Sequence, residues 1–339
     1  MNSKLIEEIA NAVLYEGYML YPYRPSSVKN RKRWNFGVVY PRNYSELQKG
    51  TDPWNTQTEC LIAGSALTTL SVKVRFLQGI SRETQSRAIP NSSVASEQQP
   101  QSWQEGAERE VLVESVPIGS LLLETFSRIF SLPPARDTEE VRDAEGRVVK
   151  VIVRDKESIS GRVTLSATCL KENLFKVTLT VLNDTVLVDA ENATREFAVV
   201  RSLLSAHSIL SAQEGEFISL LDTPTHFMEF ATHCKNVGTW PVLVGEEGTR
   251  DAMLSSPIIL YDYPQIAPES AGDLFDGTEI DEILALRILT LTEDEKTEMR
   301  QGDERARQVL ERTEAMPEEQ FLKLHGVLRG MRPSSEGQQ

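Results

Sequence analysis

Three side chains of metal-binding type lie close together: His226, His233 and Cys234, with Asp222 and Glu229 beside them. Imidazole and thiolate are the usual zinc donors, but a zinc site takes four ligands at close spacings such as C-x2-C or H-x3-H. The run here is H-x6-H-C. These residues therefore read first as ordinary histidine and cysteine, and only as weak metal candidates. Either Cys234 or Cys60 could be a nucleophile beside a histidine, yet no local motif marks one.

A second concentration of reactive groups is acidic. The loop after the apolar run Pro257–Tyr261 carries Asp262, Glu269, Asp273 and Asp276, and Glu279 and Asp281 follow. Oxygen ligands at this density can hold Mg2+ or Ca2+. The string DLFDGTE, residues 273–279, lacks the alternating ligand positions of an EF-hand loop. The plainer reading is that carboxylates at a helix start complement its dipole.

A third stretch mixes aromatics with cations: Tyr15, Tyr18, Tyr21, Tyr23, Arg24, Lys29, Arg31, Lys32, Arg33 and Trp34. Such mixtures stack on bases or clamp phosphates, and they are also the composition of protein-binding hot spots. A net charge of −14 disfavours a nucleic-acid surface. A protein partner, or half-buried aromatics with paired cations, remains. The candidate contact residues are Tyr18, Tyr21, Tyr23, Arg24, Lys29, Arg31, Arg33 and Trp34, with Asp262, Tyr263, Glu269, Asp273 and Asp276 from the acidic loop. There is no Walker loop, G-x-G-x-x-G or G-x-S-x-G. No catalytic residue and no cofactor is implied.

The elements that must position these groups are legible in places. Residues 4–20 predict an amphipathic helix, with Leu5, Ile9, Ala12, Val13 and Leu20 on one side. Phe36–Tyr40, Cys60–Ala63, Leu70–Leu77 and Val111–Val116 predict strands, and in the third of these Lys73 and Arg75 alternate with Val72, Val74 and Phe76. Leu121–Phe130 reads as a helix. Val148–Val153 is a strand. Arg162–Leu170 and Leu174–Leu182 alternate apolar and polar residues around Lys171-Glu172-Asn173, an antiparallel hairpin with one buried face. Residues 193–212 read as a helix through Phe197, Val200, Leu203, Leu204 and His207. Val242–Val244 and Ile258–Leu260 read as short strands. Thr278 is a candidate N-cap for a helix carrying Ile280, Ile283, Leu284, Arg287 and Ile288. Thr292 with Glu295 is a capping box opening a helix to about Thr313. Pro317 starts another, with Phe321, Leu324, Val327 and Leu328 inward.

Two segments break this pattern: 81–108, rich in Ser, Gln and Glu, and 133–147, also polar. The first reads as a disordered insertion. The resulting division is 1–80, with the N-terminal helix, the basic-aromatic loop and strands; 81–108; 109–331, an antiparallel sheet with C-terminal helices; and a polar tail, 332–339. The fold class is α+β, an antiparallel sheet core with helices at both ends.

Composition narrows the setting. The three cysteines are far apart and odd in number, which argues against a disulfide framework and fits a reducing cytoplasm. Glu7 and Glu8 stand where a secretory signal would be apolar, and no apolar run approaches membrane-spanning length. Charge is uneven. Residues 262–304 carry thirteen Asp or Glu against three cations, while residues 1–42 carry seven Lys or Arg against three Glu.

The runs NAVLYEGYMLYPYRPSSVKNRKRWNFGVVYP near the N-terminus and RDAMLSSPIILYDYPQIAPESAGDLFDGTEIDEILALRILTLTEDEK, residues 250–296, resemble an uncharacterised bacterial family. Its members are associated with gene clusters of NiFe hydrogenases. The resemblance implies no catalytic residue. It implies that these two stretches form the working surface of a cytoplasmic accessory or assembly protein, with a hydrogenase subunit or maturation factor as partner. The alternative is a divalent-metal-dependent enzyme using the acidic loop, 262–282.

Overall fold

One strand organises the larger part of the chain. In the computed structural model, which describes residues 3–18, 23, 37–48, 52–86, 101–266, 281–301 and 304–317, β1 (Asn55–Ser86) runs for 32 residues. It pairs antiparallel with β2 (Gln101–Pro117), β5 (Val148–Lys156), β7 (Leu174–Asn183) and β8 (Leu203–Ile218). The ladder to β8 overlaps both the β7 and the β2 ladders, so β7 and β2 share the opposite edge of β1, one after the other. With β3 (Phe126–Leu132), β4 (Ala135–Arg142), β6 (Ile159–Lys171), β9 (Trp240–Leu243) and β10 (Ala252–Ser256), they form a 10-stranded sheet ordered β3-β6-β7-β1-β8-β10-β9, with β2, β5 and β4 off that path.

β1 changes partners where its β8 ladder breaks, between Gly64 and Thr69. There Thr68 folds back, and its hydroxyl donates to the Glu214 carbonyl at 2.6 Å. A Cβ on Gly64 would meet Thr68 Oγ1 at 2.3 Å, and one on Gly215 would meet Thr68 Cγ2 at 2.6 Å. Two glycines facing each other across the ladder leave room for this return.

Alternation decides the faces. Leu70, Val72, Val74 and Phe76 of β1, Val111 and Val113 of β2, and Phe175, Val177, Leu179 and Val181 of β7 share one buried cluster. Ile118 and Leu121 of the short helix α3 (Ile118–Leu121) close it. Each fully buried side chain of this kind contributes about 1.5–3 kcal/mol. On the other face, α1 (Ser3–Tyr15) packs Ile6, Ile9, Ala10 and Val13 against Ile209, Val242, Ala252 and Leu254. Helix α2 (Arg42–Leu47) precedes β1.

Several expected elements take another form. The helix expected over 193–212 is a five-residue α4 (Arg195–Val199) followed by β8. Leu203–Leu210 is buried at every position, with β1 along one edge and β10 joining the other from Ser208, and a segment buried on both faces has no period to tell helix from strand until its neighbours are known. Leu121–Phe130 divides between α3 and β3. The two segments expected at 60–63 and 70–77 are one strand. Of the strand expected at Phe36–Tyr40, Phe36 lies outside the described residues and the rest makes only an isolated bridge at Val39. The strand expected at Ile258–Leu260 lies earlier, in β10, and ends before Pro257; proline has no N–H for a ladder. The polar patch 133–147 contains β4.

The expected insertion 81–108 needs correction at both ends. Residues 81–86 belong to β1 and 101–108 to β2, in register from Ser81↔Gln104 to Thr84↔Gln101; residues 87–100 lie outside the described ones. Polar composition conceals a ribbon here because charges stitch it. Arg82 reaches Glu105 at 3.0 Å, and Arg154 of β5 reaches Glu105 at 3.1 Å and Glu139 of β4 at 2.7 Å. Residue 80 is accordingly no boundary.

By contact the chain divides into Met1–Tyr18 with Arg31–Gln265, and Met19–Asn30 with Ile266–Gln339. The second unit contains α6 (Asp281–Leu289), α7 (Glu293–Gln301) and α8 (Glu304–Glu314), so these helices do not share a unit with the sheet, as the division 109–331 supposed. The capping box forms: Thr292 N–H donates to Glu295 Oε2 at 2.9 Å, and Glu295 N–H to Thr292 Oγ1 at 3.3 Å. The single helix expected to Thr313 is two, α7 and α8, linked by ion pairs of Lys296 and Arg300 with Glu314 at 3.2 and 2.9 Å. Thr278, the helix expected after Pro317 and the tail lie outside the described residues. Among the described residues no helix is long and apolar enough to cross a membrane.

Candidate binding groove

The outward face of β1 presents Ser71, Lys73 and Arg75 between its core-facing valines, and α1 lies over it. Arg75 is only 3% exposed. Its guanidinium donates to Glu7 Oε2 at 3.3 Å and Asn11 Oδ1 at 2.7 Å on α1, and to Glu108 Oε2 at 3.3 Å on β2. Its Nε faces Glu110 Oε1 at 3.5 Å, without hydrogen-bond geometry. Glu7 also accepts from Lys73 Nζ, and the Tyr15 hydroxyl donates to Glu108. One buried arginine thus holds a helix and two strands together. A buried cation without such partners would be strongly unfavourable.

His207 lies directly across the ladder from Arg75 and is 2% exposed. Its Nδ1 is 3.0 Å from the Ser205 carbonyl, while its Nε2 is buried with no hydrogen-bond partner among the described residues. Burial is the main cause that lowers its pKa to about 4; the Arg75 charge acts the same way, and the Ser205 carbonyl and Glu7 oppose it. The imidazole is therefore neutral at pH 7. Ser205 has a φ of 51°, at the irregularity between Arg75 and Leu77. Its hydroxyl donates to the Val13 carbonyl at 3.0 Å, a further tie to α1.

Beyond this cluster the space beside α1 opens into a groove of about 500 Å3. Its floor is the outward face of three strands: Ser71 and Lys73 of β1, Leu112 and Glu114 of β2, and Ile209 and Ser211 of β8. Ile6 and Glu7 of α1 form its wall. Glu114 follows core-facing Val113 and so points outward, and the register shift between Leu70 and Val72 comes just after it, returning Val116 to the core. Ser115, with a φ of 52°, donates its N–H to Ser71 Oγ at 3.0 Å. A bulge of this kind re-aims side chains at a sheet edge.

Four of the expected contact residues are described, and none of them lines the groove. Asp262 is a brace: Oδ2 accepts from the Ser219 hydroxyl and Oδ1 from Leu243 N–H at 2.8 Å. Tyr263 packs on the main core and donates its hydroxyl to the Thr249 carbonyl at 2.8 Å. Tyr18 is buried, its ring edge-on to Tyr15 with centroids 5.4 Å apart. Tyr23 is fully buried with a φ of 56°. Neither tyrosine offers an exposed ring to a partner. Tyr21, Arg24, Lys29, Arg31, Arg33, Trp34, Glu269, Asp273 and Asp276 lie outside the described residues, as do Lys32 and Glu279.

The histidine–cysteine run does not converge. His233 Nδ1 is 2.6 Å from the Glu229 carbonyl, and the His226 ring centroid is 3.9 Å from that of Phe227. His226 lies in a 3-10 turn, Thr225–Phe227, while His233 and Cys234 follow α5 (Met228–Ala231). Among the described residues no group of three or more His, Cys, Asp and Glu side chains could hold a metal ion. Burial pushes the Cys234 thiol up to about 11 and Cys60 higher still, so both are protonated at pH 7 and are poor nucleophiles.

Sequence reasoning missed the cluster of Glu7, Arg75, Glu108 and His207. The available signal was a pair of cations, Lys73 and Arg75, alternating with core residues along one strand; their carboxylate partners are remote in the chain. No family model and no curated protein matches this chain.

Proposed function

We propose that this chain is an accessory or assembly protein that binds a protein partner, and that the partner is a NiFe-hydrogenase subunit or a maturation factor of that enzyme. The observation that carries the binding reading is the open groove beside α1. It is an unfilled depression of mixed polar and apolar lining on a rigid sheet, and its supporting arginine is locked by four neighbouring side chains. Rigid seating lowers the ordering cost of association. The hydrogenase assignment comes from the resemblance of the two terminal runs. The metal-dependent alternative loses support at Asp262, whose two carboxylate oxygens already accept hydrogen bonds from Ser219 and Leu243.

Affinity capture on the tagged chain tests the proposal, with a Leu112→Ala, Glu114→Gln variant of the groove alongside. Stoichiometric co-purification of one protein, lost in the variant at unchanged melting temperature, is the expected result. Failure of the wild type to retain any protein overturns it.

A further inference from the structure

We infer that the groove beside α1 takes an amphipathic cation, the lysine or arginine side chain of an extended segment of the protein partner. This rests on the partner-binding reading and specifies the chemistry of its groove. Lys73 is the one cation among the lining residues, and Glu7 already pairs with it. Glu114 is the second carboxylate of the lining. It is exposed and makes no ion pair or side-chain hydrogen bond among the described residues. The groove therefore carries an uncompensated negative charge on a floor that is partly apolar.

Leu112 and Glu114 stand two residues apart on β2 and both line the groove. Outward neighbours on a strand are about 7 Å apart, which is the reach of an extended lysine or arginine side chain. Leu112, 45% exposed, would receive the apolar stem and Glu114 the charged head, the arrangement by which long cationic side chains cover apolar surface. Ser211 and Gln213 line the same groove and offer hydrogen bonds to a ligand backbone. An anion would meet Glu114 and find no free cation. A metal ion would lack ligands, since no group of three donor side chains forms among the described residues.

The test is a titration of the methyl-labelled full chain, followed by NMR, with acetyl-leucyl-arginyl-leucine amide and with its citrulline analogue, which keeps the shape and removes the charge. The expected result is shifts at the Leu112 and Ile209 methyls, and affinity about three- to five-fold higher for the arginine peptide, the scale of an exposed ion pair. Glu114→Gln should abolish that preference, and Leu112→Ala should weaken both peptides. Equal affinity for the two peptides, no binding, or shifts elsewhere on the molecule overturns the inference. If the arginine peptide fails while the partner is still captured, the cation site falls and the partner-binding reading stands. If the peptide binds as expected but no protein is captured, the reverse holds.

Discussion

At the scale of single residues, His207 links stability to pH. Burial lowers its pKa to about 4 in the folded chain, and an unfolded histidine titrates near 6.5. Between those values the unfolded chain binds a proton that the folded chain excludes. Stability is therefore fully present above pH ~6.5 and declines as pH falls towards ~4. Arg75 and Glu7 are the charges that act on the ring, and they oppose each other, so desolvation dominates. His207→Gln should remove this dependence. Calorimetric unfolding at a series of pH values between 4 and 7 should show the wild type losing up to about 3 kcal/mol more than the variant across that window. Parallel curves for the two proteins would show that His207 is not what titrates.

At the scale of elements, the hairpin of β6 and β7 tests the assignment of faces. Val177 is fully buried and faces the main core, while Thr178 is half-buried and lies 3.3 Å from Glu59 Oε1. Val177→Lys places a charge in the core and should cost about 3 kcal/mol or more. Thr178→Lys adds a cation beside Glu59, which already binds Lys176 at 3.0 Å, and should change stability by about 0.5 kcal/mol or less. Thermal melts monitored by circular dichroism separate the two, and equal melting temperatures would mean that the faces are reversed. Glu59 also accepts from Lys235 N–H at 2.7 Å, so this polar face anchors the loop that carries Cys234.

At the scale of the whole molecule, the long central strand makes the ribbon of β1 and β2 a structural extension of the sheet and not a loose insertion. Arg82 is buried, paired with Glu105, and its backbone lies between β2 and β5. A broad-specificity protease needs an unpaired, accessible backbone. Cleavage within 81–86 or 101–108 should therefore be slow, and the Ser- and Gln-rich composition of 87–100 puts the first cut there. Mass spectrometry of the early fragments decides the matter: initial products ending inside 81–86 or 101–108 would contradict the ladder.

What the sequence determined by itself was local. The β6–β7 hairpin, its turn at Asn173 and its buried face follow from period-two alternation, and the Thr292–Glu295 box follows from a four-residue rule; neither depends on distant chain. The α+β class, with an antiparallel core between terminal helices, was legible for the same reason. Leu203–Leu210 was not, because a run buried on both faces has no period to read, and only its neighbours β1 and β10 make it a strand. The ribbon at 81–108 was missed because its stability comes from cross-strand charges, Arg82 to Glu105 to Arg154, whose pairing no single segment displays. The site was hidden for the most general reason. Glu7, Arg75, Glu108 and His207 meet only after α1 settles on the sheet and β1 pairs with β2 and β8, and such long-range ladders bring together residues that the sequence keeps far apart.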